Sequence, residues 1–559
     1  MPTAAVSGPN LIDQFLSRQR ELTAVETFAQ RHEDQQRPAP AKLYRDLLPA
    51  AGPGEGQQYA FDVDLDACSG CKACVTACHS LNGLDENEMW RDVGLLVGGS
   101  TSLPVLNASV LQHVTSACHH CLEPACMEGC PVLAYEKDPH TGIVRHLDDQ
   151  CIGCQYCILK CPYDVPKYNA RLGIVRKCDM CSDRLSNGDA PACVAGCPNQ
   201  AIRITVVDRQ QVIADSGKVF LPGAPKSDYT LPTTNYRTKR PLPANTLPAD
   251  YHRITPQHAH LPLVVMLVLT QLSVGTFAVG QILNWCADAA VVAALRPVHA
   301  LVALALGMLA LGASVLHLGR PRYAYRAFIG LRTSWLSREI VAFGVFAALA
   351  SVYAAASWIA PQAISAKVFH ALGTAVAAVG ALGVFCSVMV YHDTRRPFWR
   401  FRYTASKFFL STLLLGLATT LLTTTAAAFA NQPGARQLLE AAGRIAFVLF
   451  ASINLLKIIM ALLPFRHLRD SNPTPMQRTA QLGIGPLHKP VLARILMAAV
   501  GGILLPLLAA GSIPLAIGTV DLLVMATAAF ALTLLAELLE RYLFFTAVVA
   551  PKMPGGPGA

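Results

Sequence analysis

Cys151-Ile-Gly-Cys154-Gln-Tyr-Cys157-Ile-Leu-Lys-Cys161-Pro162 is the stretch on which the interpretation of the whole protein depends. Its cysteines follow the spacing C-x2-C-x2-C-x3-C-P. Three thiolates on one tight loop can cover three corners of an iron-sulfur cubane, while the fourth, on the next helical turn, points toward a neighbouring cubane. The stretch therefore predicts iron-sulfur clusters, and it predicts them in pairs.

The same pattern recurs with variations, so that sixteen of the eighteen cysteines fall into four quartets. The other three quartets are Cys68/Cys71/Cys74/Cys78, Cys118/Cys121/Cys126/Cys130 and Cys178/Cys181/Cys193/Cys197. Proline follows the last cysteine of three quartets, whereas His79 follows the last cysteine of the first. Four quartets predict four [4Fe-4S] clusters.

Two other uses of cysteine fit the pattern less well. Structural zinc sites usually consist of two separated C-x2-C knuckles that close with four ligands. Disulfide frameworks spread their cysteines over the loops that they join. Here sixteen cysteines lie between residues 68 and 197, which favours clusters over both alternatives.

The composition indicates that part of the protein lies in a membrane. Of 559 residues, 53% are hydrophobic and only 15% are charged, which exceeds the apolar content of ordinary soluble proteins. The apolar residues are concentrated after about His260. The net charge of +10 does not indicate nucleic-acid binding, because most basic residues of the second half lie between apolar segments.

These features predict an α+β ferredoxin-like iron-sulfur domain followed by an all-α transmembrane bundle. The predicted divisions are an N-terminal arm (1–58), a four-cluster domain (59–207), a proline-rich linker or strap (208–260) and an eight-helix membrane anchor (261–559). Eight apolar segments are each long enough to span a bilayer, although seven spans are an alternative. They are approximately 261–283, 298–318, 338–359, 368–391, 405–430, 440–463, 491–514 and 516–548.

The N-terminal arm carries helix signals. Asn10 is a candidate cap for an amphipathic helix with Leu11, Phe15 and Leu16 on one face, and Thr23-Ala-Val-Glu26 has the pattern of a capping box. The apolar residues of the second helix are Leu22, Val25 and Phe28. The arm either packs on its own domain or docks a partner subunit.

Basic residues are concentrated in the even-numbered connections between spans. Examples are Arg320 in the second, Arg396 in the fourth and Arg466 in the sixth connection. The positive-inside rule then places these connections and the cluster domain on the cytoplasmic side of a bacterial inner membrane. The alternative is that the basic connections are contact surface for the cluster domain. No signal-peptide core or twin-arginine motif is visible near the N-terminus.

With these parts identified, the protein resembles a fusion of two accessory subunits of dimethyl sulfoxide reductase-type molybdopterin oxidoreductases, the four-cluster electron-transfer subunit and the eight-helix anchor. The cysteine quartets carry the first resemblance. In the membrane half the resemblance to the anchor depends on four stretches, Thr270-Gln-Leu-Ser-Val-Gly-Thr276, Ser314-Val-Leu-His-Leu-Gly-Arg-Pro321, Ser337-Arg-Glu-Ile340 and Ala536-Glu-Leu-Leu-Glu-Arg-Tyr542.

The resemblance implies how the cysteines are shared, since each family cubane takes three cysteines of one quartet and the last of another. The implied sets are Cys68/Cys71/Cys74/Cys197, Cys178/Cys181/Cys193/Cys78, Cys118/Cys121/Cys126/Cys161 and Cys151/Cys154/Cys157/Cys130. The first set would lie nearest the molybdenum subunit and the last nearest the membrane.

The membrane half raises two further cofactor questions. A quinone site needs a hydrogen-bonding group that exchanges protons at the mouth of an apolar crevice, and His317 and Glu339 meet that need. The alternative is that both are interfacial side chains. Haem would need paired axial histidines, for which His299 with His370 and His317 with His392 are the candidates. The resembled anchor has no haem, so none is expected.

The predicted function is that of an electron-transfer and anchor subunit between the quinone pool and a separate molybdopterin catalytic subunit. Whether the protein is itself an enzyme is left open, because no catalytic residue constellation is visible. The alternatives are a free-standing, ferredoxin-linked quinone reductase and a redox-controlled membrane transporter. A transporter predicts charges buried in mid-span. Glu339, Asp521, Glu537 and Glu540 are instead expected near span ends, and only Lys457 is expected to be deep.

Overall fold

The computed structural model describes residues 11–20, 23, 26, 30, 41–98, 110–218, 220–243, 245–359, 364–432, 434–512 and 518–556. These residues form a cysteine-rich half of short strands and helices and a second half of long helices. The predicted succession of an α+β domain and a helical bundle is confirmed.

An N-terminal helix, α1 (Leu11–Arg20), lies where an amphipathic helix is predicted. Its apolar residues Leu11, Phe15 and Leu16 are exposed. The predicted cap, Asn10, lies outside the described residues.

The capping box at Thr23 and Glu26 is confirmed. The Glu26 N–H donates to Thr23 Oγ1 at 3.2 Å, and the Thr23 N–H donates to Glu26 Oε2 at 2.7 Å. These reciprocal bonds satisfy two backbone donors at a helix start. Leu22, Val25 and Phe28 lie outside the described part of the sequence.

The cysteine-rich half combines short strands with short helices. The ten strands found among the described residues are β1 (Gln57–Asp64), β2 (Asp92–Gly98), β3 (Val110–Ser116), β4 (Tyr135–Lys137), β5 (Val144–His146), β6 (Lys167–Asn169), β7 (Ile174–Arg176), β8 (Ile202–Asp208), β9 (Asn235–Arg237) and β10 (Leu247–Pro248). Its helices are α2 (Ala41–Tyr44), α3 (Ala73–Leu81), α4 (Ala125–Glu128), α5 (Tyr156–Lys160), α6 (Ser182–Ser186), α7 (Ala192–Ala195) and α8 (Arg209–Ala214).

Two three-stranded sheets and two hairpins hold the cysteine loops. The strands at the two ends of the cluster region pair with each other, since β1 runs antiparallel to β8 with Phe61 opposite Ile204. Both of these side chains are buried. The second sheet has the order β10-β2-β3, and β4-β5 and β6-β7 are the hairpins.

The proline-rich segment is built into both sheets. Strand β9 pairs in parallel with β1, and β10 pairs antiparallel with β2. The segment therefore ties the two sheets together before the polypeptide enters the membrane half.

Eight helices among the described residues are long and apolar enough to cross a membrane, which confirms the predicted number. They are α9 (Leu261–Cys286), α10 (Ala289–Val315), α11 (Trp335–Ile359), α12 (Ala366–His392), α13 (Phe401–Phe429), α14 (Ala435–Arg469), α16 (His488–Gly511) and α17 (Thr519–Thr546), and a shorter helix, α15 (Pro475–Ile484), precedes α16. Helix α10 begins before the predicted start at 298 because it continues through Pro297.

The first and fifth spans approach each other closely. A Cβ atom on Gly275 of α9 would lie 1.8 Å from the carbonyl oxygen of Thr412 on α13. Gly416 faces the same contact from α13, because its Cβ would lie 2.3 Å from the Gly275 carbonyl oxygen. Only glycine at both positions allows the two backbones to meet, as at other small-residue helix contacts in membranes.

The basic connections contact the cysteine-rich half. The guanidinium groups of Arg320, Arg326 and Arg396 donate to the carbonyl oxygens of Asp148, Asp149 and Leu159, at 2.8, 2.8 and 3.2 Å. Three arginines of the second and fourth connections thus bind the cluster half to the bundle.

A C-terminal tail, defined here as residues 548–556, returns to the cysteine-rich half. The Leu95 N–H on β2 donates to Gly555 O at 3.2 Å, and the Gly555 N–H donates to Asp250 Oδ1 at 3.3 Å. Lys552 forms an ion pair with the same carboxylate of Asp250. A Cβ on Gly94 would lie 1.7 Å from Pro554 O, so the tail lies directly against β2.

Candidate electron-transfer site

The cysteine loops share a local backbone conformation that gathers three thiols. Lys72 and Gln155, each between the second and third cysteines of a quartet, have left-handed backbones with φ of 61° and 60°. Each directly precedes the short helix that carries the third cysteine. The left-handed residue reverses the backbone there, so that the third thiol turns back toward the first two.

The structure brings together the sets implied by the resemblance. Two cavities are each bordered by four cysteines, one by Cys68/Cys71/Cys74/Cys197 and one by Cys118/Cys121/Cys126/Cys161. The Cys78 thiol lies within electrostatic range of Cys193 and Cys181, and the Cys178 thiol lies within range of Cys78. The Cys157 thiol is likewise close to those of Cys154, Cys130 and Cys151.

Backbone N–H groups are directed at the cysteine sulfurs in a repeated arrangement. Gly153 N–H donates to Cys151 Sγ at 3.4 Å, and Ala134 N–H donates to Cys130 Sγ at 3.2 Å. The fourth quartet repeats both bonds, from Met180 to Cys178 at 3.4 Å and from Ala201 to Cys197 at 3.3 Å. Such bonds stabilise thiolates and adjust the potential of a cluster that they hold.

Two buried cations fit an anionic group among these thiols. Lys177 and Arg91 are 3% and 2% exposed. Lys177 Nζ lies 3.8 Å from Cys118 Sγ, and the Nε and Nη2 atoms of Arg91 are buried without a hydrogen-bond partner. A buried cation needs a nearby negative charge, which a thiolate-ligated iron-sulfur cluster supplies. The residues present therefore fit iron-sulfur clusters.

The loop that begins at Cys151 lies directly on the membrane half. Arg320 N–H donates to Ile152 O at 3.0 Å, and the Tyr156 hydroxyl donates to Val390 O at 2.8 Å. Tyr156 is only 3% exposed and belongs to the apolar core of the bundle. The quartet that contains Cys154 is thus in contact with the ends of the spans.

A glycine contact brings this loop close to the bundle. Gly153 has φ +69°, and a Cβ there would lie 2.3 Å from Gly173 O and 2.9 Å from the Cα of Gly319. Gly319 follows His317 and Leu318 in the connection after α10. A side chain at any of these three positions would push the cluster half away from the span ends.

A cavity of about 190 Å³ lies at this contact, and we call it the quinone pocket after the quinone site predicted from the sequence. His317, Glu339 and Cys154 all line it, so the two residues singled out by sequence share one space with a cluster cysteine. Its walls are mostly apolar, as in small-molecule sites with a few convergent polar groups.

His317 is held in one tautomer. Its Nε2 lies 3.3 Å from Cys154 O, and because a carbonyl oxygen only accepts, Nε2 carries the hydrogen. Burial lowers the pKa of His317 and favours the neutral ring. Nδ1 is then an acceptor available to a ligand in the pocket.

Glu339 reaches the pocket from α11. Its side chain is 4% exposed, and the Ser387 hydroxyl on α12 donates a short hydrogen bond to its Oε1. The contact fixes the carboxyl group between two spans.

His260 and His258 also belong to the site, and the sequence interpretation missed them. The His260 ring lies in the quinone pocket, with its centroid 5.1 Å from that of His317 and 4.7 Å from that of His258. In the sequence His260 marked only a domain boundary. The sole available signal was its position directly before a span on the side of the clusters.

Three of the four candidate haem histidines have other contacts, and Nδ1 of the fourth, His370, is buried without a hydrogen-bond partner. His299 Nε2 lies 3.0 Å from Thr276 O and its Nδ1 lies 3.2 Å from Thr423 Oγ1, so both ring nitrogens are engaged. His317 binds Cys154 O, and His392 packs edge-on against Phe401.

A buried charge network, which consists of Lys407, Lys457, Glu537, Glu540 and Arg541, joins α13, α14 and α17. Lys457 Nζ lies 2.6 Å from Glu537 Oε2, and Lys407 Nζ lies 2.9 Å from Glu540 Oε1. Arg541 pairs with Glu540 at 3.4 Å. Helix α17 thus packs the Glu537 and Glu540 carboxylates against cations of two other spans.

Comparison with known families matches the two halves separately. The family of 4Fe-4S dicluster domains matches residues 110–207. The family described as DMSO reductase anchor subunit (DmsC) matches residues 256–546, which is more than half of the protein.

Similar proteins match the cysteine-rich half. The B subunit of anaerobic dimethyl sulfoxide reductase of Haemophilus influenzae is 33% identical over 180 residues, which are 32% of this protein and 87% of that subunit. The corresponding B subunit of Escherichia coli K12 is 38% identical over 154 residues, which are 27% of this protein and 75% of that subunit. Hydrogenase-2 operon protein HybA of Escherichia coli O157:H7 is 34% identical over 190 residues, 30% of this protein and 57% of HybA.

The two matches, the four cysteine sets and the eight apolar helices agree on one description. The protein transfers electrons through iron-sulfur clusters and is anchored in a membrane by its own helices. It belongs to the DMSO reductase anchor subunit (DmsC) family, with an iron-sulfur domain similar to the reductase B subunit fused in front of the anchor.

Proposed function

We propose that this protein passes electrons between membrane quinones, bound in the quinone pocket, and a separate molybdopterin catalytic subunit. One observation carries the proposal. His317, Glu339 and Cys154 line a single apolar cavity where the cluster half meets the spans. Electrons can therefore leave a quinol at the site where a cluster ligand is in contact with the pocket.

Four [4Fe-4S] clusters supply the one-electron steps of this transfer when bound. The proposed ligands are the four implied sets, Cys68/Cys71/Cys74/Cys197, Cys178/Cys181/Cys193/Cys78, Cys118/Cys121/Cys126/Cys161 and Cys151/Cys154/Cys157/Cys130. The last set is nearest the quinone pocket, since Cys154 borders the pocket. The first set faces the catalytic subunit, and Cys71 in that set is exposed.

The roles of the pocket residues follow from their hydrogen bonds. His317 Nδ1 accepts a hydrogen bond from one quinol hydroxyl, while its Nε2–H is bound to Cys154 O. The ring thus orients the quinol toward the cysteine that ligates the nearest cluster. Glu339, held by the hydrogen bond from Ser387, lines the same cavity and accepts a hydrogen bond from the second quinol hydroxyl.

The catalytic partner is proposed from the anchor family. The two B subunits and the DmsC anchor are named for dimethyl sulfoxide reductase, whereas HybA is named for a hydrogenase operon. Because the membrane half matches the DmsC family over 256–546, a molybdopterin partner is favoured over a hydrogenase.

Metal analysis of the complex purified without oxygen is the first test. We expect about sixteen irons and sixteen acid-labile sulfides per polypeptide, and molybdenum in a large copurified subunit. The measurement is elemental analysis of the affinity-purified complex. Zinc in place of iron would refute the clusters. Nickel without molybdenum would replace the proposed partner by a hydrogenase, and purification without any partner would support the free-standing quinone reductase.

We also propose that the cluster half faces the cytoplasm. The cluster half is bound by Arg320, Arg326 and Arg396. Because these arginines have a docking role, they are weaker evidence for membrane orientation than the positive-inside rule alone would make them. The sixth connection still contributes Arg466, Arg469 and Lys489 to the same side of the bundle.

This orientation predicts the outcome of labelling. A cytoplasmic-type reporter fused after Ala559 should be active, and a cysteine tag in the 360–367 connection should react with an impermeant reagent in intact cells. The control is the same tag in the connection after α12, which should react only after lysis. The reverse labelling would show that the basic connections serve docking and not topology.

A further inference from the structure

His260 lies at the boundary between two cavities. It lines the quinone pocket, and it also lines a larger cavity of about 540 Å³ between the cluster half, the proline-rich segment and the C-terminal tail. It caps the start of α9 with a left-handed backbone, φ 45° and ψ 57°. This conformation is costly for a residue with a side chain, so its surroundings hold the ring in place.

Three imidazole rings form a continuous row through this boundary. His260 packs edge-on against His317 at a centroid distance of 5.1 Å and edge-on against His258 at 4.7 Å. The backbone N–H of His260 donates to His258 Nδ1 at 3.3 Å. Nδ1 of His258 is therefore an acceptor, and its Nε2 carries the hydrogen. His258 lines the larger cavity.

The larger cavity is suited to water. Its polar lining includes Asp164, Gln257, Arg478 and Lys552, and its volume of about 540 Å³ has room for many water molecules. It shares Gln155, Ile158 and Leu159 with the quinone pocket, so the two spaces are neighbours. Protons that leave the quinone pocket past His260 would directly enter this larger cavity with its polar lining.

We propose that His260 and His258 carry protons between the quinone pocket and this larger cavity. The inference depends on the proposed quinone site. When one quinol is oxidised, its two O–H bonds break. Two electrons pass toward the clusters and two protons must reach water. Quinone reduction needs the same two protons in the reverse direction.

An imidazole suits this task because it accepts a proton on one nitrogen and releases one from the other. His260 lines the pocket itself, so one water molecule in the pocket can carry a proton from the quinol to its ring. Ring rotation or one bridging water completes the step between rings.

The electrostatic surroundings favour a carrier that stays neutral between transfers. The titratable and charged groups that act on His260 are His317, His258 and Arg396. Burial first, and then these neighbours, lower the pKa of His260 to about 4. His260 is therefore neutral at neutral pH when no proton is in transit.

The test uses asparagine at each position. In His260→Asn and His258→Asn the side chain tolerates the left-handed backbone and keeps an amide that accepts a hydrogen bond, but it cannot relay a proton. We expect electron transfer from a quinol analogue, followed by cluster absorbance, and proton release, followed with a pH indicator, both to slow about tenfold or more. Binding of a quinol-analogue inhibitor should change less than about twofold, because it needs no proton transfer. Iron content reports assembly. Imidazole added to the medium should restore the His258→Asn variant.

The matched control is His252→Asn, which removes an exposed histidine that packs on Tyr251. Parental rates of proton release in both His258→Asn and His260→Asn would overturn the relay. If the variants lose inhibitor binding as well as electron-transfer rate, the proposed relay is also overturned, since His260 would then only shape the pocket. The quinone site is tested separately by His317 and Glu339 variants, so the two failures can be told apart.

Discussion

Replacement of His317 by arginine or of Glu339 by glutamine is expected to slow electron exchange with quinol analogues by roughly a hundredfold or more. Arginine has no acceptor, so it cannot receive the hydrogen bond that Nδ1 of His317 accepts from a quinol hydroxyl. Its longer side chain also enters a cavity of only about 190 Å³. Glutamine at 339 keeps the bond from Ser387 but loses the carboxylate that exchanges a proton.

The measurement is quinol-driven electron transfer in the assembled complex, with iron content and dye-driven turnover, which bypasses the pocket, as checks of assembly. His488→Arg and Glu440→Gln are matched controls, because they make the same changes at exposed positions. If both pocket variants exchange electrons with quinols at the parental rate, the quinone binds elsewhere and the two residues only support the helix ends.

Replacement of Lys457 by methionine should destabilise the bundle by about 3–5 kcal/mol. The substitution leaves Glu537, which is 2% exposed, without the ammonium group that lies 2.6 Å from its carboxylate. An uncompensated buried charge is costly, whereas an apolar pair of similar volume is often tolerated. The double variant Lys457→Met with Glu537→Gln should therefore recover most of the lost stability.

The measurement is the denaturation midpoint of the purified protein for both single variants and the double variant, from which a coupling energy follows. Lys367→Met, at an exposed position in the first turn of α12, is the control. Additive effects of the two single substitutions would contradict the pairing. Ion flux that depends on Lys457 in vesicles would favour the transporter alternative over a structural role.

The four cysteine quartets could be predicted because ligand spacing along the sequence is itself a local constraint, whereas the sharing of cysteines between quartets was implied by the family resemblance. Gly153 and Gln155 allow the turn that Cys151, Cys154 and Cys157 require, and both are visible in the sequence. The proximity of His317 and Glu339 was also predictable, since each lies at a span end on the side of the clusters.

Contacts between distant segments could not be predicted in the same way. Nothing in the sequence near His260 indicates that its ring meets His317, because the contact depends on how the proline-rich segment enters α9. The ion pair between Glu537 and Lys457 could not be predicted either, since the hydropathy of a single span does not show which helices pack together. The arginines of the even connections were open to two interpretations, and the contacts of Arg320 and Arg326 show that docking is one of their roles.

The return of the C-terminal tail to β2 has a consequence for the order of biosynthesis. Strand β2 leaves the ribosome early, whereas residues 548–556 follow the eighth span, and domains fold as they emerge from the N-terminal end. The hydrogen bonds that join Gly555 to Leu95 and to Asp250 can form only after every span has been made. Until then this side of β2 lacks the cover that the tail gives it in the folded protein.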